Sequence, residues 1–304
     1  MDHKIAFVFS GQGAQYSGMG ATLTSPAATD VFRRLDAIRP GTSAQCFHGT
    51  AEELNTTKNT QPCLFAVELA AAAALSAAGV VPHCIAGFSL GEVSALTGAG
   101  VFSLEDGFRL VCRRAELMQT AAEKVDSGMV AVVKLSDEAV EELCGQFEQV
   151  YPVNYNCPGQ VAVAGRKDVL PDFSKAVKAA GGRAVPLRVS GGFHAPFMDS
   201  AAEAFGIALE SVPFGTPSCP VYSDYTGLPY EQNVAELLTK QIKNPVRWNN
   251  IITHMIENGV DTFIEIGPGE TLCGLIKKID SSVTTRHVAD ADSLEKTLEE
   301  LSGT

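Results

Sequence analysis

The stretch from Ile85 to Ala95 reads I-A-G-F-S-L-G-E-V-S-A and contains the only G-x-S-x-G pattern in the chain, with its serine at Ser89. An apolar run from Cys84 to Phe88 precedes the serine, and a segment compatible with a helix follows it. A strand, a sharp turn and a helix form a nucleophile elbow, in which glycines leave room for a serine in a strained backbone conformation. A glycine-rich turn with an incidental serine gives the same pattern, so both interpretations stay open at this point.

Composition limits the classes of function. The chain has 304 residues, 45% of them apolar, which is enough for one large domain or a large domain with a smaller one. A net charge of −12 excludes general nucleic-acid binding, which needs a basic face. Eight cysteines without C-x-x-C spacing indicate buried free thiols in a reducing compartment. With no secretory signal pattern at the start, we expect a cytoplasmic protein.

The longest weakly polar run extends from Leu64 to Val81 and is rich in alanine. Glu68 interrupts it and Pro62 stands before it, as at a helix start. We therefore predict a helix packed in the core and no membrane span.

The chain opens with a predicted strand, Lys4 to Phe9, followed by a loop from Ser10 to Gly20 that contains four glycines. Their spacing matches neither common phosphate-binding pattern, and the loop has no lysine. A second backbone donor for an oxyanion hole is the better use for such a loop, because hydrolase-like sites take one donor from a loop after another strand.

A helix is predicted from Leu104 to Lys124, and its apolar stripe consists of Leu110, Val111, Leu117 and Met118. Arg114 falls within this stripe, whereas Arg113 lies on a charged, solvated face. A buried guanidinium needs an anion, because an unpaired buried charge is costly. The anion is either an internal glutamate or the carboxylate of a substrate held by a planar, bidentate clamp.

A change of pattern at Ser127-Gly128 marks a candidate insert. The order from there is β-α-β-β-α-β, with predicted elements at 130–135, 136–147, 150–155, 160–164, 167–180 and 183–189. This order is that of the split βαβ, ferredoxin-like arrangement. We predict a small domain of residues 128–193 inserted in a large domain of residues 1–127 and 194–304, with the site in the cleft between them. Asn156 belongs to a predicted hairpin turn, 154–160, whose amides are candidates to line that cleft.

His194 is the only one of six histidines that follows a predicted strand in a glycine-rich loop. Such a loop can hold a base beside a nucleophile from another strand end, although a lone histidine is also compatible with a structural role. The order of serine before histidine is that of α/β-hydrolase-like sites. Beyond it we predict strands at Pro220–Ser223 and Thr262–Ile266 and helices at Asn250–Asn258 and after Gly267-Pro268-Gly269-Glu270.

Six ordered features together resemble the malonyl-CoA:acyl carrier protein transacylases of fatty acid synthesis, over residues 4 to 280. They are Gly11-Gln12-Gly13, Gly87-x-Ser89-x-Gly91-Glu92, Arg114, Phe193-His194, Asn244-Pro245-Val246 and Gly267-Pro268-Gly269. The resemblance implies an α/β-hydrolase-like core with a parallel sheet, interrupted by a ferredoxin-like insert. It also implies ping-pong transfer of a malonyl group from malonyl-CoA to acyl carrier protein.

The resemblance assigns roles by position. Ser89 would be the acylated nucleophile and His194 its base, oriented by the backbone carbonyl of Gln241. The amides of Gln12 and Leu90 would form the oxyanion hole. Arg114 would hold the malonyl carboxylate. No cofactor or metal, no nucleic acid and no membrane are implied, and we expect a monomer.

Two aromatic residues bear on the resemblance. Phe88 departs from it, since histidine is commonest at that position of the elbow. Phe193 resembles malonyl-selective members, where a bulky ring crowds a methyl group on the acyl α-carbon. An acidic carrier protein needs a local basic patch, and the candidates are Lys175, Lys178, Arg183 and Arg188, or Lys277 and Lys278.

Three alternatives remain. A trans-acting acyltransferase of a polyketide synthase would share all these motifs. A serine esterase or thioesterase would not need the buried cation of Arg114. A catalytically silent carrier-binding module would not need Ser89 and His194.

Overall fold

The computed structural model describes residues 3–303. Its strands are β1 (Ile5–Phe9), β2 (Cys84–Gly87), β3 (Ser127–Val133), β4 (Val150–Cys157), β5 (Gln160–Arg166), β6 (Arg183–Pro186), β7 (Thr262–Ile266) and β8 (Thr284–Val288). Its helices are α1 (Pro26–Asp36), α2 (Thr42–His48), α3 (Ala51–Leu54), α4 (Thr57–Ala77), α5 (Gly91–Gly98), α6 (Leu104–Ala122), α7 (Asp137–Cys144), α8 (Leu170–Ala179), α9 (Asp199–Leu209), α10 (Val234–Gln241), α11 (Trp248–Glu257), α12 (Thr271–Ile279) and α13 (Ala291–Ser302). The fold is mixed α/β, with one parallel and one antiparallel sheet.

The parallel sheet has the strand order β2-β1-β7-β8. In its register, Phe9 at the end of β1 lies beside both Gly87 and Ile266. The carboxyl ends of three strands are therefore neighbours, and the loops that follow them meet at one edge of the sheet. This edge is where ligands bind in parallel α/β sheets.

The elbow after β2 depends on two close backbone contacts. A Cβ atom at Gly87 would lie 1.9 Å from the backbone of Gly91, and one at Gly91 would lie 2.5 Å from the carbonyl oxygen of Phe9. Ser89, between these glycines, has φ of 57°, in the left-handed region that side chains rarely adopt. The turn thus has the strained geometry of a nucleophile elbow, in contrast to an ordinary glycine turn.

Helix α4 corresponds to the predicted core helix but begins earlier, at Thr57, so that Pro62 lies inside it. The helix is long and apolar enough to cross a membrane by length and composition, yet 83% of its most apolar window is buried inside the protein. It packs against α1 and α6, and this packing explains its all-round apolar surface.

The antiparallel sheet has the strand order β4-β5-β3-β6, and its elements follow the predicted order β3-α7-β4-β5-α8-β6. Helices α7 and α8 pack against it over a separate apolar cluster that includes Val140 and Phe173. The last strand is shorter than predicted: it ends at Pro186, and only the N–H of Leu187 still donates to β3, at the carbonyl of Met129 with a distance of 2.9 Å.

Two predictions of local structure were wrong. The segment 154–160 is not a hairpin turn along its length, because β4 continues to Cys157 and the turn is confined to Pro158-Gly159, with φ of 74° at Gly159. The segment Pro220–Ser223 forms only isolated bridges, since Val221 pairs with Ile85 and Tyr222 pairs with Pro229. The chain turns back there at Gly227, before a strand can form.

The Asn244-Pro245-Val246 segment joins the two sheets. The N–H of Val246 donates to the carbonyl of Val153 at 2.9 Å, and its carbonyl accepts from the N–H of Tyr155 at 2.9 Å. Val246 therefore pairs with β4, the edge strand of the antiparallel sheet. This pairing fixes the antiparallel sheet beside the carboxyl edge of the parallel one.

We expect Gly87→Ala to destabilise the protein by about 3 kcal/mol, because the new methyl group overlaps the backbone of Gly91. Gly274→Ala is the matched control: Gly274 is an exposed residue within α12 with no atom near its would-be Cβ, so this change should stabilise by up to about 1 kcal/mol. Urea unfolding midpoints at equal m-values measure both effects. Equal midpoints for the two variants would contradict the tight-elbow interpretation.

Candidate active site

Ser89 and His194 come together at the carboxyl edge of the parallel sheet. Ser89 Oγ lies 2.7 Å from His194 Nε2, and His194 Nδ1 lies 2.8 Å from the carbonyl oxygen of Gln241. Because a carbonyl only accepts, Nδ1 carries the proton and Nε2 is free to accept from the serine hydroxyl. His194 also has a left-handed backbone, with φ of 58°. The pair has the geometry of a nucleophile and its base.

The environment of His194 favours its neutral form. The ring is buried, and burial lowers the pKa of His194 to about 4, with the nearby Arg114 cation as the second cause. Hydrogen bonds to the backbone of Gln241 and Asn244 oppose this shift. At neutral pH the imidazole is therefore unprotonated and able to take a proton from Ser89.

Two backbone donors near the serine are free. Gln12 and Leu90 line the same cavity as Ser89. Across residues 3–303, neither backbone N–H finds a hydrogen-bond acceptor. The Gln12 side chain is held by Thr57 at 3.3 Å. Unpartnered N–H groups beside a nucleophile are what an oxyanion hole requires.

Arg114 is 1% exposed and points at the serine. Its Nη1 donates to Gln61 Oε1 at 2.8 Å, and its Nη2 lies 2.9 Å from Gln241 Oε1 and 3.4 Å from Ser89 Oγ. Within the described part of the chain no carboxylate forms an ion pair with it, and Nε has no partner at all. The alternative of an internal salt bridge is wrong. Burial lowers the pKa of Arg114 to about 10, so the group remains a cation at neutral pH.

Arg113 contrasts with its neighbour as predicted. It is exposed and pairs with Glu116, one turn along α6, at 3.4 Å. The two consecutive arginines of α6 thus face solvent and the site respectively.

Gln241, at the end of α10, contributes more than its backbone carbonyl. Its side-chain Nε2 donates to the carbonyl of Ser89 at 2.6 Å and to Asp224 Oδ2 at 3.1 Å, while its Oε1 accepts from Arg114. The side chain is completely buried. The resemblance implied only the carbonyl, and a lone glutamine in a helix gave no signal of these contacts.

Asp224 and Glu92 are site residues that the sequence did not reveal as such. Asp224 Oδ2 accepts from the backbone N–H of Ser89 at 2.8 Å, and Glu92 Oε1 accepts from the backbone N–H of Asp224 at 3.1 Å. Neither carboxyl group contacts His194. Glu92 stood within the elbow motif, which was a usable signal, whereas Asp224 had none. The site therefore contains acids, but the histidine is oriented by a carbonyl.

One of the predicted site residues does not line the cavity. Asn154 lines the cavity and Asn156 does not. Both are in β4, and two residues along a strand correspond to about 6 to 7 Å, which carries Asn156 past the site. Phe193 is 6% exposed and lines the cavity beside His194. The remaining apolar lining is Phe88, Met118, Met129, Leu187 and Val189.

The ring of Phe88 has a clear packing role. It makes an edge contact with Trp248 of α11, with ring centroids 5.4 Å apart. It also packs on Gly11, where an added Cβ would come within 3.0 Å of the Phe88 ring. Phe88 therefore joins the elbow, α11 and the loop that carries Gln12.

The basic residues predicted as candidates for carrier docking differ in whether their charges already have partners within the protein. Lys175 pairs with Asp172, Lys277 donates to backbone carbonyls, and Lys278 donates to Gln160. Lys178, Arg183 and Arg188 are exposed and form no ion pair within residues 3–303. Of the candidates, these three residues keep their charge most available to an acidic partner.

Known proteins similar to this chain are acyltransferases. The family model of the acyl transferase domain matches residues 6–295. The malonyl CoA-acyl carrier protein transacylase of Bacillus subtilis is 36% identical, over 98% of this chain and 97% of its own. The crystal structure of the same enzyme from Clostridium perfringens superposes with a TM-score of 0.95 at 40% identity, covering 99% and 98% of the two chains.

The chain belongs to the malonyl-CoA:acyl carrier protein transacylase family. It is an acyltransferase. Another solved member of the family, described as a malonyl-transacylase in complex with a type II PKS acyl-carrier protein, has a TM-score of 0.93 at 37% identity, over 98% of this chain and 99% of its own. The range matched by the family model, residues 6–295, spans every site residue described above.

We expect the reactivity of Ser89 toward a neutral sulfonyl fluoride to stay high down to about pH 5. The base works only when neutral, and its lowered pKa of about 4 delays protonation as the pH falls. Labelling rates from pH 4 to 8, with circular dichroism to verify folding, test this. His194→Ala is the control and should react at least about a hundred-fold more slowly at pH 7. A midpoint near pH 6.5 would contradict the assignment.

Proposed function

We propose that this protein transfers the malonyl group of malonyl-CoA to the phosphopantetheine thiol of an acyl carrier protein, through a malonyl-Ser89 intermediate, and so supplies fatty acid synthesis. The observation that carries the proposal is Arg114, a buried cation whose partners are the amide oxygens of Gln61 and Gln241 and, at 3.4 Å, Ser89 Oγ, with no carboxylate among them. A carboxylate at the far end of the acyl group supplies the missing anion.

In the first half-reaction Ser89 Oγ attacks the thioester carbonyl while His194 Nε2 takes its proton. The C–O bond forms as the carbonyl π electrons move to oxygen, and the N–H groups of Gln12 and Leu90 stabilise this oxyanion. The oxyanion collapses, the C–S bond breaks, and the CoA sulfur leaves with the proton from His194. Malonyl-Ser89 and free CoA result.

In the second half-reaction the carrier thiol replaces CoA. His194 takes the thiol proton, the sulfur attacks the ester carbonyl, and the same two N–H groups hold the second oxyanion. The C–O bond to Ser89 then breaks, and the serine oxygen recovers a proton from His194. The carrier thiol must react with the ester faster than water does. The apolar wall of the cavity, which includes Met118 and Val189, favours the thiol by excluding water from the cleft.

Selectivity for malonyl has two supports. Arg114 favours acyl groups with a free carboxylate over acetyl. Phe193 lines the cavity beside His194, and its bulky ring would crowd a methyl group on the acyl α-carbon. We therefore propose malonyl over methylmalonyl as the substrate. A simple esterase has no use for this buried cation.

The proposed organisation is an α/β-hydrolase-like large domain, residues 1–127 and 194–304, with a ferredoxin-like domain, residues 128–193, inserted in it. The antiparallel order β4-β5-β3-β6 supports the second description. We propose that the protein acts as a cytoplasmic monomer. Every step above uses side chains and backbone groups of this chain, with no cofactor or metal.

The carrier is proposed to dock at Lys178, Arg183 and Arg188, where unpaired positive charge meets an acidic protein. The carrier serves either fatty acid or polyketide synthesis. The second possibility has support in the similarity to a transacylase solved with a polyketide carrier. Transfer rates to carrier proteins of both kinds decide between them.

We expect malonyl-CoA alone to add one malonyl group to the wild type, on Ser89, because the first half-reaction needs no carrier. Intact-mass spectrometry with peptide mapping detects the adduct, and Ser89→Ala is the control. Added acyl carrier protein should discharge the adduct. No adduct on the wild type, or an equal one on Ser89→Ala, would overturn the proposed function.

We expect Arg114→Ala to lower kcat/KM for malonyl-CoA at least about a hundred-fold, because truncation leaves the substrate carboxylate buried without its cation. Acetyl transfer should rise relative to the wild type, since the unpaired charge is gone. Arg113→Ala, on the exposed face of the same helix, is the matched control and should change neither rate. An unchanged malonyl-to-acetyl ratio in Arg114→Ala would exclude the clamp.

A further inference from the structure

Two buried carboxyl groups next to the nucleophile take no part in the steps above. Glu92 lies in the first turn of α5, three residues after Ser89, and Asp224 lies in the loop after the isolated bridge at Tyr222. Both side chains are completely buried. Burying two acids is unfavourable unless they are satisfied, so their contacts indicate what they do.

Asp224 and Gln241 together hold both backbone polar groups of Ser89. The N–H of Ser89 donates to Asp224 Oδ2 at 2.8 Å, and its carbonyl accepts from Gln241 Nε2 at 2.6 Å. The same Nε2 donates to Asp224 Oδ2 at 3.1 Å, so the carboxyl group also fixes the glutamine. These contacts restrain a serine whose φ of 57° is unfavourable.

The other oxygen atom of each acid has no hydrogen-bond donor among the described residues. Asp224 Oδ1 and Glu92 Oε2 are buried, and no N–H or hydroxyl group of residues 3–303 reaches them. The two residues are in direct contact, because the N–H of Asp224 donates to Glu92 Oε1 at 3.1 Å. Carboxylate oxygens only accept, so one proton between the acids is what satisfies both atoms. Burial and the neighbouring Glu92 charge hold the pKa of Asp224 well above its usual value, and burial raises the pKa of Glu92 to about 7.

We propose that Asp224 and Glu92 share one proton as a carboxyl pair and act as positioning residues for Ser89 and Gln241, an inference that rests on the proposed acyl transfer. The proton lies on Asp224 Oδ1 and is donated to Glu92 Oε2. Through Gln241 the pair also fixes the carbonyl that orients His194 and the amide oxygen that accepts from Arg114.

The surroundings favour a single negative charge on the pair. Arg114 of α6 supplies a cation that acts on both acids, and Tyr230 donates its hydroxyl to Glu92 Oε1. His194 reaches the pair only through Gln241 and is neutral. Loss of the shared proton leaves two repelling carboxylates behind Ser89, which displaces the nucleophile.

The test compares Asp224→Ala with Asp224→Asn in acylation by malonyl-CoA. The alanine removes the acceptor of Ser89 and Gln241, and we expect about a hundred-fold loss in kcat with a smaller change in KM, as for a misplaced reacting group. The asparagine restores most of that rate, because its oxygen accepts the same two N–H groups and its amide donates permanently to Glu92 Oε2.

The pH dependence separates a shared proton from a merely structural contact. The wild-type acylation rate falls at alkaline pH as the pair loses its proton, whereas Asp224→Asn and Glu92→Gln have no such proton and show no fall from this cause. The unfolding temperature should change in the same direction as the rate. An acid whose pKa is raised in the folded state stabilises the protein less as pH rises, so the unfolding temperature of the wild type should fall more between pH 7 and 10 than that of either amide variant.

Two results would overturn the inference. One is an acylation rate for Asp224→Asn as low as that for Asp224→Ala, and the other is an equal loss of stability at alkaline pH in the wild type and both amide variants. These outcomes differ from failure of the proposed function, in which the wild type itself is not acylated by malonyl-CoA. The unfolding comparison needs no substrate and decides on the shared proton in either case.

Discussion

The left-handed backbone of Ser89 is the constraint on which the rest of the site depends. A non-glycine residue in this region costs about 1 to 3 kcal/mol and persists only where its surroundings hold it. Here the parallel sheet does so, because β1 and β2 lie close enough that Gly87 and Gly91 touch neighbouring backbone. The conformation directs the hydroxyl at His194 and leaves the N–H of Leu90 free beside it. On the proposed function, the same turn positions the acyl group and its oxyanion.

Gln241 connects this turn to the other functional groups. Its carbonyl orients His194, its side-chain amide bonds the carbonyl of Ser89, and its side-chain oxygen accepts from Arg114. In a triad with an aspartate, an acid would stabilise the imidazolium. A carbonyl supplies orientation with less charge, and the nearby Arg114 further lowers the basicity of His194. The site therefore combines a firmly held histidine with a buried cation, which the proposed function assigns to the substrate carboxylate.

The sequence predicted the features that depend on local pattern and left out those that depend on long-range contact. The elbow, the strand-and-helix order from β3 to β6 and the burial of Arg114 all follow from glycine positions and periodicity. Asp224 was missed because its partner, Ser89, is 135 residues away and its own neighbours carry no motif. The prediction that Asn156 lines the cleft is wrong, because the pattern does not show that β4 continues to Cys157 through the predicted turn. The packing of Phe88 on Trp248 likewise needed the fold.

On the proposed function, the charge of Arg114 is what discriminates between acyl groups. Amide oxygens stabilise a buried guanidinium less than a carboxylate would. Burial therefore lowers the pKa of Arg114 to about 10. An acyl group with a carboxylate relieves this penalty on binding, and an acetyl group leaves it in place. The same carboxylate offsets the positive charge that lowers the pKa of His194. On the proposed function, the substrate that relieves the arginine also strengthens the base, so binding and proton transfer favour the same acyl group.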